Sequence, residues 1–157
     1  MPATSIASHR HSEKNGPPGT KHVIACVDRS KHARKIVSHA SAVASALRLP
    51  MTLLQVLEAP SVEAVRLDPV EWDIRRHESR RALRRLAEAR GDEVENLNAE
   101  LVEGQGAEEI CRWARERPAE LIVMGTHGEC AAGEYGIGST ALHVLERVAG
   151  AVLLVPV

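Results

Sequence analysis

The stretch from Gly125 to Thr140, GTHGECAAGEYGIGST, follows directly on the apolar run Leu121, Ile122, Val123, Met124 and holds five of the eleven glycines in the chain. A short, β-branched apolar run that stops at glycine reads as a buried parallel strand, and the periodic stretch from Thr140 to Ala149 reads as the helix behind it. The loop therefore lies between a strand's carboxyl end and a helix's amino end. Unpaired backbone N–H groups and the positive end of a helix dipole meet in such a place, and glycine lets the backbone approach an anion closely. A phosphate is the group it would hold.

The rest of the chain supplies the sheet. His22 to Asp28 (HVIACVD) predicts a first strand buried on both faces and ending in an acid. Ser30 is placed to cap the next helix, in which Ala33, Ile36, Val37, Ala40, Val43, Ala44 and Leu47 recur at core spacing until Leu49 and Pro50 end it. Met51 to Leu57 is a second strand, and strand, helix and strand at this spacing make a right-handed parallel crossover. After a connection containing Pro60, Asp68 caps a helix with Pro69 at its first position. That helix is expected to run to about Arg90, with Val70, Ile74, Ala82, Leu83, Leu86 and Ala87 inward and Gly91 as its stop. Leu97, Ala99 and Leu101 alternate with polar residues, as in a half-exposed edge strand. Gly104 and Gly106 precede a helix from Ala107 to Arg117 with Ile110, Cys111 and Ala114 inward, and the chain ends in Ala151 to Val157, where Pro156 restricts the strand to an edge or an end.

Five strands alternating with four main helices predict an α/β fold, a five-stranded parallel doubly wound sheet. The chain of 157 residues suits one domain from Lys21 to Val157, large enough to bury roughly 70% of its unfolded surface. Met1 to Thr20, rich in Ser, His, Pro and Gly, is expected to be a disordered tail, with His9 and His11 solvated.

Charge and composition exclude several classes. A net charge of -1 gives no general attraction to nucleic acid or an anionic membrane. The arginine-rich run from Arg75 to Arg85 is interleaved with Glu71, Asp73, Glu78 and Glu88, which makes it an ion-paired, solvated face. No apolar stretch approaches the ~18 residues of a membrane span, and the amino terminus lacks a signal-peptide core, so a cytoplasmic location is expected. Cys26, Cys111 and Cys130, an odd set at unrelated spacings, read as reduced thiols.

Ligands of such sheets sit at the strand carboxyl ends, where strand order reverses. Asp28 and the Gly125 to Gly128 turn are the two conspicuous polar strand ends, which makes the first and fourth strands neighbours across that point. Asp28 fits two roles, a helix cap and a contact to a sugar or base. The glycine loop is no Walker loop, because Ser139 stands where the lysine must be. The first strand turns at DRSK without the glycines of a dinucleotide fold, and GxSxG is absent. His127 and Cys130 offer two ligands where zinc needs three or four, so no metal site is assigned.

The first strand ending in VD before Ser30, the second ending LLQVLE, the fourth reading LIVMGTHG, and GxxG followed by nine residues and GS carry a family pattern, formed by Gly125, Gly128, Gly138 and Ser139. Over Lys21 to Val157 the chain resembles the universal stress protein family. The resemblance implies a cytosolic homodimer that binds ATP or AMP with at most slow hydrolysis, and it leaves room for a magnesium ion beside the nucleotide. By position, Asp28 and Val56 would meet ribose and adenine, Met124, Gly125 and Gly128 would line the nucleotide, and Gly138, Ser139 and Thr140 would hold phosphates. Glu129 and Glu134 stand where the family usually has basic residues. Either they point to solvent, or they face the outer phosphates, where a carboxylate about 4 Å away costs ~1 kcal/mol in water and ~4 at a protein surface and so favours AMP or ADP over ATP.

Three functions fit: a non-catalytic adenine-nucleotide sensor or regulator, a dimeric interaction or chaperone-like module without nucleotide, and a slow nucleotide hydrolase with His127 or Glu134 as base. The dimer is expected to form across the last strand, Ala151 to Val157, whose bare apolar edge would otherwise invite uncontrolled pairing.

Overall fold

The computed structural model describes residues 20–58, 68–127 and 136–157. Its elements are β1 (His22–Val27), α1 (Ala33–Leu47), β2 (Met51–Leu57), α2 (Pro69–Glu88), β3 (Leu97–Glu103), α3 (Gly106–Glu116), β4 (Ala119–Gly125), α4 (Ser139–Arg147) and β5 (Ala151–Val155). The strands form one parallel sheet in the order β3-β2-β1-β4-β5. The doubly wound expectation is met, and β1 and β4 are neighbours, with Val23 level with Leu121 and Ala25 with Val123.

Alternation along the strands divides the core into two layers. Val23, Ala25 and Val27 of β1 pack with Ile36, Val37, Ala40 and Ala44 of α1 and Leu83 of α2. Ile24 and Cys26 point the other way, onto Ile110, Cys111 and Trp113 of α3 and Ala141 and Val144 of α4. All six residues of β1 are buried. Burying a large aliphatic side chain contributes about 1.5–3 kcal/mol, so these two layers supply most of the drive to fold.

Helix ends follow local chemistry. Asp68 accepts the Glu71 N–H at 2.9 Å, with Pro69 behind it, as the sequence predicts. α1 closes in a Schellman motif: Arg48 adopts φ 54°, its N–H reaches Ser45 O at 3.1 Å, and the Leu49 N–H reaches Ala44 O at 2.9 Å. Ser30, expected to cap α1, does not. The helix begins at Ala33 with His32 at the cap position, and the Ser30 hydroxyl accepts the His32 N–H inside the preceding turn. Nor does Gly91 stop α2, which ends at Glu88 with Ala89 right-handed at its cap.

The inward face of α2 also differs from expectation. Val70 and Ile74 are 66% and 53% exposed, and the buried residues are Trp72, Ser79 and Leu83. At 3.6 residues per turn those three share one stripe, and Val70 and Ile74 fall on the opposite side of the cylinder. Leu47, the last residue of α1, is 52% exposed because the chain turns away directly after it. On β3, Leu97 and Leu101 pack on the α1–α2 layer while the smaller Ala99 stays exposed, so the edge-strand reading holds with one residue misplaced.

At the amino end of β1, His22 Nδ1 lies 2.8 Å from Pro118 O, which assigns the proton to Nδ1, and Nε2 is buried with no partner among the described residues. The ring meets Trp113 edge-on, with centroids 6.4 Å apart. Burial holds the His22 imidazolium below the usual histidine value of 6.5, with Arg117 adding to the effect against the Pro118 hydrogen bond. The stability tied to this group is therefore complete above 6.5 and is lost as pH falls through the lower folded value. Urea titrations should show the protein losing stability between pH 7 and pH 5, and His22→Phe, which keeps the ring contact, should lose less over the same range.

Candidate functional site

Strand order reverses between β1 and β4, and at their carboxyl ends the structure has a cleft of about 650 Å³. That volume is in the range of small-molecule sites. Asp28, Val56, Met124, Gly125, Gly138, Ser139 and Thr140 all line it. Seven residues scattered over more than a hundred positions of sequence thus meet in one place. Gly128, the eighth, lies outside the described residues, as do Cys130, Glu129 and Glu134.

Asp28 does not take the helix-cap role, since α1 has His32 at its cap position, and it serves the preceding turn with one oxygen instead. Its Oδ1 accepts the Ser30 N–H at 2.9 Å, closing the turn after β1, and among the described residues Oδ2 has no hydrogen bond. The second oxygen remains available on the cleft wall.

Gly138 departs from expectation. Its N–H donates to Thr126 O at 2.7 Å, so it has no donor left for a phosphate. A Cβ at this position would lie 3.2 Å from the same carbonyl, tighter than ordinary contact, which is why glycine suits the approach. The bond pins the amino end of α4 against the exit of β4. Gly138 O accepts from Leu142 N–H, and among the described residues the N–H groups of Ser139, Thr140 and Ala141 are left without backbone partners. These three open donors, at the positive end of a nine-residue helix, form the anion-attracting end of the cleft.

Gly125 serves packing. A Cβ there would lie 3.1 Å from Ile36 Cδ1 and from Val157 Cγ2. Thr126 joins β4 to β5, its N–H donating to Val155 O at 3.1 Å and its hydroxyl accepting the Val157 N–H at 3.2 Å. His127 lies on the same wall with Nδ1 3.2 Å from the Thr126 hydroxyl.

Glu58, the last residue of the LLQVLE run directly after β2, has no role legible in the sequence and yet shapes the site. Its Oε1 accepts the Gly106 N–H at 2.6 Å, so the amino end of α3 is occupied by the protein's own carboxylate. Of the two described helix amino ends that line the cleft, α3 and α4, that of α4 is the open one. Gln55, Arg29 and Arg75 line the cleft as well and were equally unannounced. Arg29 pairs with Glu78 at 3.1 Å, and Arg75 stands over the Trp72 ring at 5.8 Å. Arg76 pairs with Asp73 and Glu103, in keeping with an ion-paired α2.

Cys26, on the cleft floor, is a free thiol pushed up to about 12 by burial, with Cys111 adding to the effect. It is a protonated apolar wall and no nucleophile. Among the described residues no group of three His, Cys, Asp or Glu is placed to hold a metal ion, and no helix is long and apolar enough to cross a membrane.

Sheet order, carboxyl-end cleft and open helix terminus together define a doubly wound α/β protein with a cleft at the topological switch point. The chain belongs to the universal stress protein family, whose sequence model matches residues 19–156. It is 25% identical to a universal stress protein of Methanocaldococcus jannaschii over 148 residues, 90% of this chain and 85% of that protein. Among solved structures, universal stress protein UspA of Lactobacillus plantarum superposes with a TM-score of 0.76 at 22% identity, covering 88% of this chain and 99% of that one. A universal stress protein of Archaeoglobus fulgidus in complex with dAMP superposes with a TM-score of 0.64 at 19% identity, covering 87% and 98%.

Proposed function

We propose that this universal stress protein binds an adenine nucleotide in the cleft and acts in the cytoplasm as a non-catalytic sensor or regulator. The observation that carries the proposal is the polarity of the cleft: open N–H groups of Ser139, Thr140 and Ala141 at one end, and the unspent oxygen of Asp28 at the β1 end. A nucleotide has the matching order, with phosphate at one end and a hydroxyl-bearing sugar next. The dAMP complex of a relative with the same fold supports the choice of adenine.

In the proposed pose the α4 terminus holds the innermost phosphate. Val56 and Met124 supply apolar walls, and Gly125 lets β4 end close against Ile36 and Val157 beside them. A magnesium ion would enter with the phosphates of a longer nucleotide, since Mg²⁺ is usually held by one or two carboxylates plus substrate phosphates. Calorimetry should detect AMP binding, and Asp28→Ala should weaken it by about 1 to 3 kcal/mol, the usual cost of losing a charged hydrogen-bond partner. Absence of binding by AMP, ADP and ATP alike would instead favour an interaction module without nucleotide.

The assembly proposed is a homodimer across β5. This strand is the outer one beside β4, Val152 to Leu154 are only partly buried, and Leu142 and Leu145 of α4 are 46% and 39% exposed. An uncovered apolar edge of this kind invites pairing. Light scattering at micromolar concentration should give a dimer mass for the wild type and a monomer for Leu154→Glu. A wild-type monomer, or a dimer indifferent to the added charge, would contradict the placement.

A further inference from the structure

Gln55 is, with Thr52, one of two polar residues in the run MTLLQVL, on a strand flanked on both sides by others. It is level with Val27 of β1, one residue before Asp28. Alternation sends it, with Leu53, toward the α1–α2 layer, whereas Leu54 and Val56 pack on the α3–α4 side. Its side chain is only 4% exposed and borders the cleft. Among the described residues its amide makes no hydrogen bond. The side-chain atoms of the described residues that are sealed in without a partner are His22 Nε2, Ser41 Oγ and Ser79 Oγ, so the amide of Gln55 opens on the cleft and is not shut inside the core. Burying an amide costs free energy unless a partner is found, and a leucine here would continue the apolar run of the strand without that cost.

We propose that Gln55 is a specificity-determining residue that hydrogen-bonds the amino edge of the bound base, an inference that rests on the adenine-nucleotide reading of the cleft. An amide offers an acceptor oxygen beside a donor nitrogen, the complement of an exocyclic amine beside a ring nitrogen on adenine. The other groups at this end are less suited. Arg29 and Arg75 carry donors only and cannot accept from an amine. Glu58 spends one oxygen on the Gly106 N–H, and Asp28 spends one on the Ser30 N–H. Gln55 stands level with Val27, one residue short of Asp28, so the two border the cleft from adjacent strand ends without sharing a face of the sheet.

The test compares AMP with purine riboside 5′-monophosphate, which has the same phosphate and sugar and lacks the 6-amino group. Wild type should prefer AMP by about ten- to a hundredfold, the discrimination expected of a bidentate amide–base pair. Gln55→Leu should weaken AMP more than the purine compound, which loses only the ring-nitrogen bond, so that the preference between them disappears, and should keep or raise the thermal midpoint. A ligand preference that survives in Gln55→Leu, or wild type binding both compounds equally, overturns the role of Gln55 while leaving nucleotide binding standing. Failure of wild type to bind either compound overturns both. Should Gln55→Leu not fold, Gln55→Met with the same two ligands decides the matter on the same criteria.

Discussion

Burial of β1 on both faces is the constraint from which the rest follows. With Val23, Ala25 and Val27 committed to one helical layer and Ile24 and Cys26 to the other, the strand can carry no chemistry along its length. Polar function is displaced to its carboxyl end, where Asp28 stands beyond the last ladder partner. β4 behaves the same way, apolar through Met124 and then opening into glycine. Because these two strands are neighbours and their connections leave in opposite directions, a cleft opens between the exits, and no helix can close it without a longer crossover.

What the cleft can attract is decided by two helix termini. A helix amino end carries roughly half a positive charge and three or four unpaired N–H groups. α3 satisfies part of this demand internally through Glu58, which also brings a negative charge to the wall. α4 is capped by glycine, without a side chain to accept, and the single bond from the Gly138 N–H to Thr126 O fixes its position and leaves the next three donors open. Phosphate therefore has one favourable end of the cleft. Thr126 links this arrangement to β5, so the proposed dimer edge and the site share a hydrogen-bonded segment.

The strands, their parallel order and the switch point were legible because each rests on a local signal: a β-branched run, an acid or a glycine at its end, and a helical period between. The cap at Asp68 was legible for the same reason. Where two local signals competed, the sequence misled. Val70 and Ile74 are apolar at helical spacing, yet the phase of α2 is set by Trp72, Ser79 and Leu83, whose burial depends on the sheet beneath them. At the site, the residue types of Asp28, Gly125 and Gly138 could be read, but not how each spends its donors and acceptors. The bond that occupies the Gly138 N–H is a tertiary contact with Thr126. Glu58 and Gln55 were invisible for a related reason, since Gly106 is 48 residues from Glu58, and a glutamine within an apolar run says nothing about which cavity it borders.

In the proposed site the open amino end of α4 holds a phosphate while Gly138 remains bonded to Thr126. Amide chemical shifts during an AMP titration test it directly. The N–H resonances of Ser139, Thr140 and Ala141 should move downfield together with saturation, as amides do on gaining a charged acceptor, while that of Gly138, bonded to Thr126 O, should stay protected from exchange with solvent. Saturating binding that leaves these three amides unmoved, or that frees the Gly138 N–H, would contradict it.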